Sequence, residues 1–219
     1  LNNNVKLFLE TDDYGFETGI EIFENLQSDK KDQYEYVFPY YNFNKILNAN
    51  YFNGSIYFSS EGNNTLNETN KLKTNIINDF SYNGQNFISN LGIDSKFNFY
   101  LKNTISSGKN LPDYKSSPQI ELVSLLENNL SFPLIKENEN FKSLLTPRAS
   151  IRINPSDMKN HSNDDKTIDI GNIFNSNRLG ISDTLESGKS LTLGVSYSKE
   201  KKNLSEINKF FELKLATVL

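Results

Sequence analysis

The sequence contains no cysteine and no tryptophan, and only one histidine among its 219 residues. Without cysteine the chain has neither disulfides nor thiolate metal sites. The single histidine, His161, stands in a polar stretch without a G-x-S-x-G nucleophile motif, so a Ser-His-Asp relay is not indicated. Asp164, Asp165 and Asp169 do not match the spacing of a calcium loop. The sequence predicts no enzyme activity, no metal site and no cofactor.

Long apolar runs and an excess of basic charge are also missing. No segment approaches the roughly 20 apolar residues that a membrane helix requires. The chain carries 23 Lys and Arg against 27 Asp and Glu, for a net charge of -4, and the basic residues are scattered. The sequence therefore excludes a helical membrane protein and predicts no nucleic-acid partner.

What the sequence has is strict alternation of apolar and polar residues, most clearly at residues 145–153 and 190–198. A period of two is typical of a strand with two different faces. A soluble sandwich shows the same period, whereas a membrane barrel turns its apolar face toward lipid and its polar face toward the lumen. For the barrel, the predicted lipid-facing residues are Leu145, Ala149, Ile151, Ile153, Leu191, Leu193 and Val195. The predicted lumen-facing residues are Thr146, Arg148, Ser150, Arg152, Ser190, Thr192, Ser196 and Ser198.

The pattern predicts roughly eleven strands, and several reach the 9 to 11 residues that a tilted membrane strand needs. Residues 118–130 also fit an amphipathic helix, but the flanking prolines and the neighbouring alternation favour a strand. The predicted strands are residues 5–11, 17–26, 33–47, 54–62, 70–84, 95–105, 117–130, 142–154, 166–175, 188–199 and 208–219.

The strand lengths favour an all-β fold, an antiparallel transmembrane β-barrel, over a soluble sandwich. We expect residues 1–219 to form part of a single outer-membrane barrel domain, with no second domain. The chain begins at Leu1 without Met and stops inside an alternating run, so we expect an incomplete fragment of that barrel.

A series of short motifs lies on these strands and on the connections between them. It begins with Ser116-Ser117-Pro118-Gln119, Phe132-Pro133-Leu134 and Leu145-Thr146-Pro147-Arg148. It continues through residues 168–180, which contain Asn172-Ile173-Phe174 and Asn177-Arg178-Leu179-Gly180, and ends with Asp183, Glu186-Ser187-Gly188 and Leu193-Gly194. This order resembles the barrel domain of the LptD family, the lipopolysaccharide-assembly proteins of Gram-negative outer membranes. The chain departs from that pattern at Thr184, where many relatives have Arg.

The resemblance implies lipopolysaccharide transport and insertion into the outer leaflet of the cell outer membrane. The sugars would pass through a polar lumen, and the acyl chains would leave sideways through a lateral gate. The implied partners are lipopolysaccharide, a lipoprotein plug similar to LptE inside the barrel, the periplasmic bridge components and outer-membrane lipid. A structural role is implied for the motif residues Pro133, Pro147, Asn172, Phe174, Arg178, Gly180, Asp183, Glu186 and Gly188. For Asn172, Arg178, Gly180, Asp183 and Glu186 this role is to shape a turn. The family's periplasmic jellyroll and its gate-forming strands have no counterpart in this sequence.

Two other functions stay open at this point. A passive outer-membrane porin has the same architecture, and a soluble surface β-domain such as an adhesin has the same periodicity. The membrane readings predict an exposed apolar face, whereas the soluble reading predicts that the apolar faces of two sheets cover each other.

Overall fold

The computed structural model describes residues 1–24, 33–47, 53–157, 166–202 and 207–219, with the backbone alone for residues 207–210. The described residues form no helix. They form twelve strands, which are β1 (Asn2–Glu10), β2 (Tyr14–Glu24), β3 (Tyr34–Leu47), β4 (Gly54–Asn67), β5 (Lys71–Gly84), β6 (Phe87–Ile88), β7 (Asp94–Lys109), β8 (Gln119–Ser131), β9 (Leu134–Glu137), β10 (Phe141–Asn154), β11 (Gly188–Lys202) and β12 (Ile207–Val218). The prediction of an all-β chain is confirmed.

The strands form an antiparallel sheet in the order β1-β2-β3-β4-β5-β7-β8-β10-β11-β12, with β6 paired to β7 and β9 paired to β10. Most neighbours in the sheet are therefore also neighbours in sequence, as in a meander of hairpins. Because β1 and β12 stand at the two ends of this order, the sheet is open among the described residues. Closure into a barrel stays a prediction.

The predicted strands correspond to observed ones with one exception, although residues 25 and 26 of the predicted strand 17–26 lie outside the described residues and the short strands β6 and β9 were not predicted. The ambiguous segment 118–130 is strand β8, as the alternation and the prolines indicated. The prediction of a strand at residues 166–175 is wrong, because this segment forms turns. The carboxylate of Asp169 accepts hydrogen bonds from the backbone N–H groups of Gly171 and Asn172. Such side-chain contacts bend the backbone and occupy the N–H groups that a strand partner would need.

The chain divides into two compact units. The first comprises residues 1–82 and 100–123. On one side of its strands, Lys6 lies 2.8 Å from the Glu21 carboxylate and 3.6 Å from that of Glu17. The buried Tyr40 donates a 2.7 Å hydrogen bond to Glu17. Charged and polar groups on this side are thus paired with one another.

The other side of the first unit carries exposed apolar residues and, across them, a ladder of polar side chains. Val5 and Ile20 pair across β1 and β2 and are 75% and 47% exposed. The ladder consists of four hydrogen bonds in series: Tyr41 with Ser60 at 3.1 Å, Ser60 to Asn78 at 2.7 Å, Asn78 to Asn103 at 3.2 Å, and Asn103 to the Glu121 carbonyl at 3.1 Å. Each polar group of the ladder has a partner on the adjacent strand, which lowers the cost of placing it on an apolar face.

The second unit comprises residues 83–99 and 124–219. Strands β10 and β11 pair along their whole length, from Phe141 opposite Lys201 to Asn154 opposite Gly188. Among the buried apolar residues of this unit are Leu125 on β8 and Ile173, Ile181 and Leu185, which lie between β10 and β11 in the sequence. This unit contains the candidate site.

Candidate functional site

On β10 and β11 apolar side chains are exposed and polar side chains are buried, which is the reverse of a strand at the surface of an ordinary soluble protein. Ile151 and Leu193 are 47% and 40% exposed, whereas Ser150 and Thr192 are 1% and 0% exposed. Soluble proteins place polar residues outside and apolar residues inside. On these strands the apolar side is the exposed one.

The residues predicted to face lipid and those predicted to face the lumen lie on opposite sides of β10 and β11, but their exposures overlap. Of the predicted lipid-facing residues, Leu145, Ile151, Ile153 and Leu193 are exposed and Ala149, Leu191 and Val195 are half-buried. Of the predicted lumen-facing residues, Ser150, Arg152 and Thr192 are buried, Thr146, Ser190, Ser196 and Ser198 are half-buried, and Arg148 is exposed. Ser150, Arg152 and Thr192, together with the half-buried Ser190, lie toward the end where β10 finishes and β11 begins, whereas Thr146, Ser196 and Ser198 lie farther along the strands.

Residues 166–187, which we call the covering segment, contact the polar side of these strands. Asn172 donates to the Thr167 carbonyl at 2.8 Å and accepts from the Asp169 N–H at 2.8 Å. Asn177 holds a second turn by donating to the Ile181 carbonyl at 2.7 Å. The side-chain amides thereby supply hydrogen bonds that the segment does not obtain from strand pairing.

Glycines end two of these turns. Gly180 and Gly188 have φ angles of +63° and +93°, a region that residues with a Cβ seldom enter. The positive φ angles explain why glycine stands at these two positions. Gly188 is also the first residue of β11. Of the other motif residues, Thr184 is 2% exposed and Asp183 is half-buried.

A pair of charged residues from the covering segment forms the first part of a buried cluster. Arg178 is 2% exposed and donates from Nε and Nη2 to the two carboxylate oxygens of Glu186, each at 2.7 Å. This is the bidentate geometry that suits a guanidinium and a carboxylate. The same guanidinium donates to Ser190 at 3.2 Å and to Thr192 at 3.3 Å on β11. Arg178 therefore ties the covering segment to β11.

Arg152 and Glu127 form the second part, and they pair directly across β10 and β8. Arg152 is 3% exposed, donates to Glu186 at 3.2 Å and also donates to the Ser176 carbonyl. Glu127 is 1% exposed and accepts from Ser176 Oγ at 2.8 Å and from Asn98 at 3.1 Å. Its other carboxylate oxygen lies 3.6 Å from Arg152 Nε.

The cluster of Glu127, Arg152, Arg178 and Glu186 contains two positive and two negative charges. Burying a charge is costly unless it is paired and hydrogen-bonded, and this arrangement pairs every guanidinium with a carboxylate. Asn154 adds two further bonds, to the Leu185 carbonyl at 3.1 Å and the Glu186 carbonyl at 2.9 Å. The arrangement is suited to holding the covering segment on β8, β10 and β11.

Sequence reasoning identified Arg152, Arg178 and Glu186 but missed Glu127 and Asn98. The alternation already placed Glu127 on β8, two residues after the apolar Leu125 on the same side. A carboxylate in that position is a signal of a buried ion pair, but finding its partner requires the register that sets Glu127 opposite Arg152.

Arg148 lies outside this cluster. Its guanidinium lies 4.5 Å from the ring centroid of Phe174, at cation–π distance. A Cβ on Gly194 would lie 2.7 Å from Phe174 Cζ, so the ring occupies space that only glycine leaves open. The missing side chain at Gly194 thus leaves space for the Phe174 ring, which contacts Arg148.

The described residues contain no group of three or more His, Cys, Asp and Glu side chains able to hold a metal ion. His161, Asp164 and Asp165 lie outside the described residues. No helix in the described part of the chain has the length and hydropathy of a membrane span.

No protein-family model matches the sequence, and no curated protein matches it either.

Proposed function

We propose that this chain is part of a Gram-negative outer-membrane β-barrel that transports lipopolysaccharide into the outer leaflet. One observation carries the proposal. Two residues of the LptD-like motif, Arg178 and Glu186, bind each other in a buried cluster, and that cluster lies on the polar side of strands whose other side exposes Ile151 and Leu193.

The exposed apolar side supports a lipid environment. Exposed side chains such as Ile151, Leu193 and Leu215 cost free energy in water but are favourable against acyl chains. Strand lengths of 11 to 16 residues in β2 to β5, β7, β8 and β10 to β12 meet or exceed the 9 to 11 that a tilted membrane strand needs.

The polar ladder of the first unit is compatible with this placement. An amide in hydrocarbon is costly when it lacks partners, but Ser60, Asn78 and Asn103 satisfy one another in series. A soluble adhesin would have to cover the exposed apolar residues with another surface. A porin would have lipid against the same apolar face.

The half-buried polar residues beyond the covering segment are the proposed path of the sugars. Thr146 and Ser196 lie opposite each other on β10 and β11. Short hydroxyl side chains both donate and accept hydrogen bonds, so they exchange easily with sugar hydroxyls. Ser150 and Thr192 are buried and are therefore poor candidates for this path. A lipoprotein plug and the periplasmic bridge are the further partners under this proposal.

Photo-crosslinking in the full-length protein, in its own cells, tests the proposal. A benzophenone amino acid would replace Thr146 or Ser196, with Leu145 and Leu193 as matched positions on the apolar side of the same strands. We expect lipopolysaccharide adducts at Thr146 and Ser196, which disappear when the supply of lipopolysaccharide from the inner membrane is blocked.

The pattern of adducts separates the rival functions. Phospholipid adducts at Leu145 and Leu193 with none at the polar positions would support a porin and reject transport. Silence at all four positions, in a protein recovered from the soluble fraction, would support the adhesin-like domain.

A further inference from the structure

In the second unit, the apolar side of β9 to β12 carries lysines at the end where β10 begins and β11 finishes. Strand register arranges the side chains of this side in rows. One row consists of Lys136, Ser143, Lys199 and Phe211, and the next row outward contains Phe141 and Lys201. We call Lys136, Lys199 and Lys201 the lysine group. At the opposite end of the same side, Lys189 lies opposite Ile153.

Between Lys199 and Lys189, the described residues on this side of β10, β11 and β12 are all uncharged. We call this stretch the apolar band, and it includes Leu145, Val195 and Leu215. Leu145 and Leu215 are 38% and 59% exposed, so the band is open to its surroundings. An apolar band with cations at both ends complements a bilayer, whose hydrocarbon core lies between two layers of phosphate headgroups.

The length of the apolar band agrees with the thickness of a membrane. Lys189 and Lys199 are ten positions apart on β11. This separation corresponds to about 33 Å along a strand. A strand of a membrane barrel is tilted by about 40°, so the same separation spans about 25 Å across the bilayer, which is the height of the apolar girdle of such barrels. The two lysines therefore lie at the levels of the two headgroup layers.

Side chains at the boundary between the apolar band and the lysine group point away from the band. Lys199 Nζ lies 4.3 Å from the ring centroid of Phe141, which belongs to the row farther out. Tyr197, in the last row of the band, donates its hydroxyl to Ser143 Oγ at 3.4 Å, again one row farther out. The Tyr197 ring centroid lies 6.0 Å from that of Phe211. Lysines that extend toward water and aromatic rings with polar tips are typical of a membrane interface.

Carboxylates at this end of the strands lie on the polar side instead. Glu137 and Glu200 lie opposite Lys142 on its two neighbouring strands, and alternation places this row on the polar side. Lys202 lies on the polar side as well and forms an ion pair with Glu137. Among the described strand residues at this end, the apolar side therefore carries positive charge alone. An anion that approaches along the apolar side is attracted without opposition from these carboxylates.

We propose that the lysine group binds the anionic headgroup of a membrane phospholipid, with the acyl chains of that lipid on the apolar band. This inference rests on the proposed function, because the apolar side is the one placed against lipid there. It adds the class of lipid, since the apolar band alone would accept zwitterionic and anionic lipids alike. The contacts to the headgroup and to the chains lie on the same side of the strands, as one ligand requires.

Quenching of a local fluorophore tests the headgroup preference in the full-length protein reconstituted into vesicles. A bimane label on Leu145→Cys would lie one row inside Lys136 and Lys199, and this chain has no other cysteine. The vesicles consist of phosphatidylcholine with a varied share of either brominated phosphatidylglycerol or brominated phosphatidylcholine. Bromine on the chains quenches the label only where that lipid lies beside it, so the two titrations give the ratio of the local affinities.

We expect phosphatidylglycerol to be preferred by a factor of roughly five or more, because attraction of one lysine to an anionic headgroup layer strengthens binding by about that factor. The double variant Lys136→Gln with Lys199→Gln should lose most of this preference. Lys142→Gln is the matched control, since it removes a cation from the polar side at the same end of β10, and it should leave the preference unchanged. Lys199→Arg keeps the charge and should keep the preference.

The outcomes separate this site from the proposed function. Equal quenching by the two lipids, or the same loss in Lys142→Gln as in the double variant, would reject the headgroup site and retain a lipid-facing barrel. Absence of quenching by either lipid would reject both, because the apolar side would then not face lipid. A preference for phosphatidylglycerol without lipopolysaccharide crosslinks at Thr146 and Ser196 would retain the site and reject transport.

Discussion

Glu186 is the most connected carboxylate of the buried cluster, and its replacement by Gln is a sharp test of the cluster. Glu186 accepts two 2.7 Å hydrogen bonds from Arg178 and one 3.2 Å bond from Arg152. The Glu186→Gln change keeps the shape of the side chain but removes its charge. Two guanidiniums, 2% and 3% exposed, then face the single carboxylate of Glu127.

The magnitude follows from the burial of the partners. Removing one member of a buried ion pair typically costs roughly 3 to 5 kcal/mol, because the remaining charge stays buried without compensation. The Glu186 side chain retains 24% exposure, so water reaches the site in part. The Gln oxygen also still accepts one hydrogen bond. We therefore expect the free energy of unfolding to fall by about 3 kcal/mol, at the lower end of that range.

Equilibrium urea unfolding of the full-length protein, refolded in detergent micelles, measures this loss. Glu139→Gln is the matched control, because Glu139 is exposed in the turn between β9 and β10 and should change stability by less than about 0.5 kcal/mol. The double variant Arg178→Met with Glu186→Gln should cost less than the sum of the two single variants, since each removes the partner of the other. A loss below about 1 kcal/mol in Glu186→Gln, or strict additivity in the double variant, would refute the reasoning.

Three other changes test the packing, the polar ladder and the apolar face. Gly194→Ala introduces a Cβ 2.7 Å from Phe174 Cζ and should cost about 1 to 3 kcal/mol in the same unfolding assay, with part of the loss recovered by Phe174→Leu; no loss would contradict the close approach. Asn78→Leu removes the acceptor of one ladder bond and the donor of the next and should cost about 1 to 3 kcal/mol, and an unchanged midpoint would show that the ladder contributes nothing. Ile151→Lys should cost roughly 2 to 4 kcal/mol for refolding into lipid vesicles, whereas Ser198→Lys should be mild; equal tolerance would reject the lipid-facing assignment.

Much of the fold was predictable because alternation is a local property of the sequence. The period of two at residues 142–154 and 188–199 requires no knowledge of the partner strand, and β10 and β11 end within a few residues of the predicted limits. Residues 166–175 misled the same reasoning. Ile168 and Ile170 alternate with polar residues there, but Asp169 and Asn172 bond the local backbone and produce turns.

The candidate site was predictable only in part. Arg178 and Glu186 stand eight positions apart with glycines nearby, so the sequence alone contains their motif. Ser150 and Thr192 were predicted to face a lumen, and the structure shows that both are buried, which alternation alone does not reveal. The short side chains of Ser150 and Thr192 leave space on the polar side of β10 and β11, and the covering segment occupies that space.

The sequence by itself determined that the chain is all-β and which side of each strand is apolar, because side chains of successive residues point to opposite faces of a strand. Only the tertiary structure decided which side is buried and which polar groups meet. Glu127 and Arg152 are 25 positions apart in the sequence, and strand register alone sets them opposite each other. Register depends on every pair along two strands, whereas alternation depends on one strand, and for this reason the cluster could not be derived from the sequence.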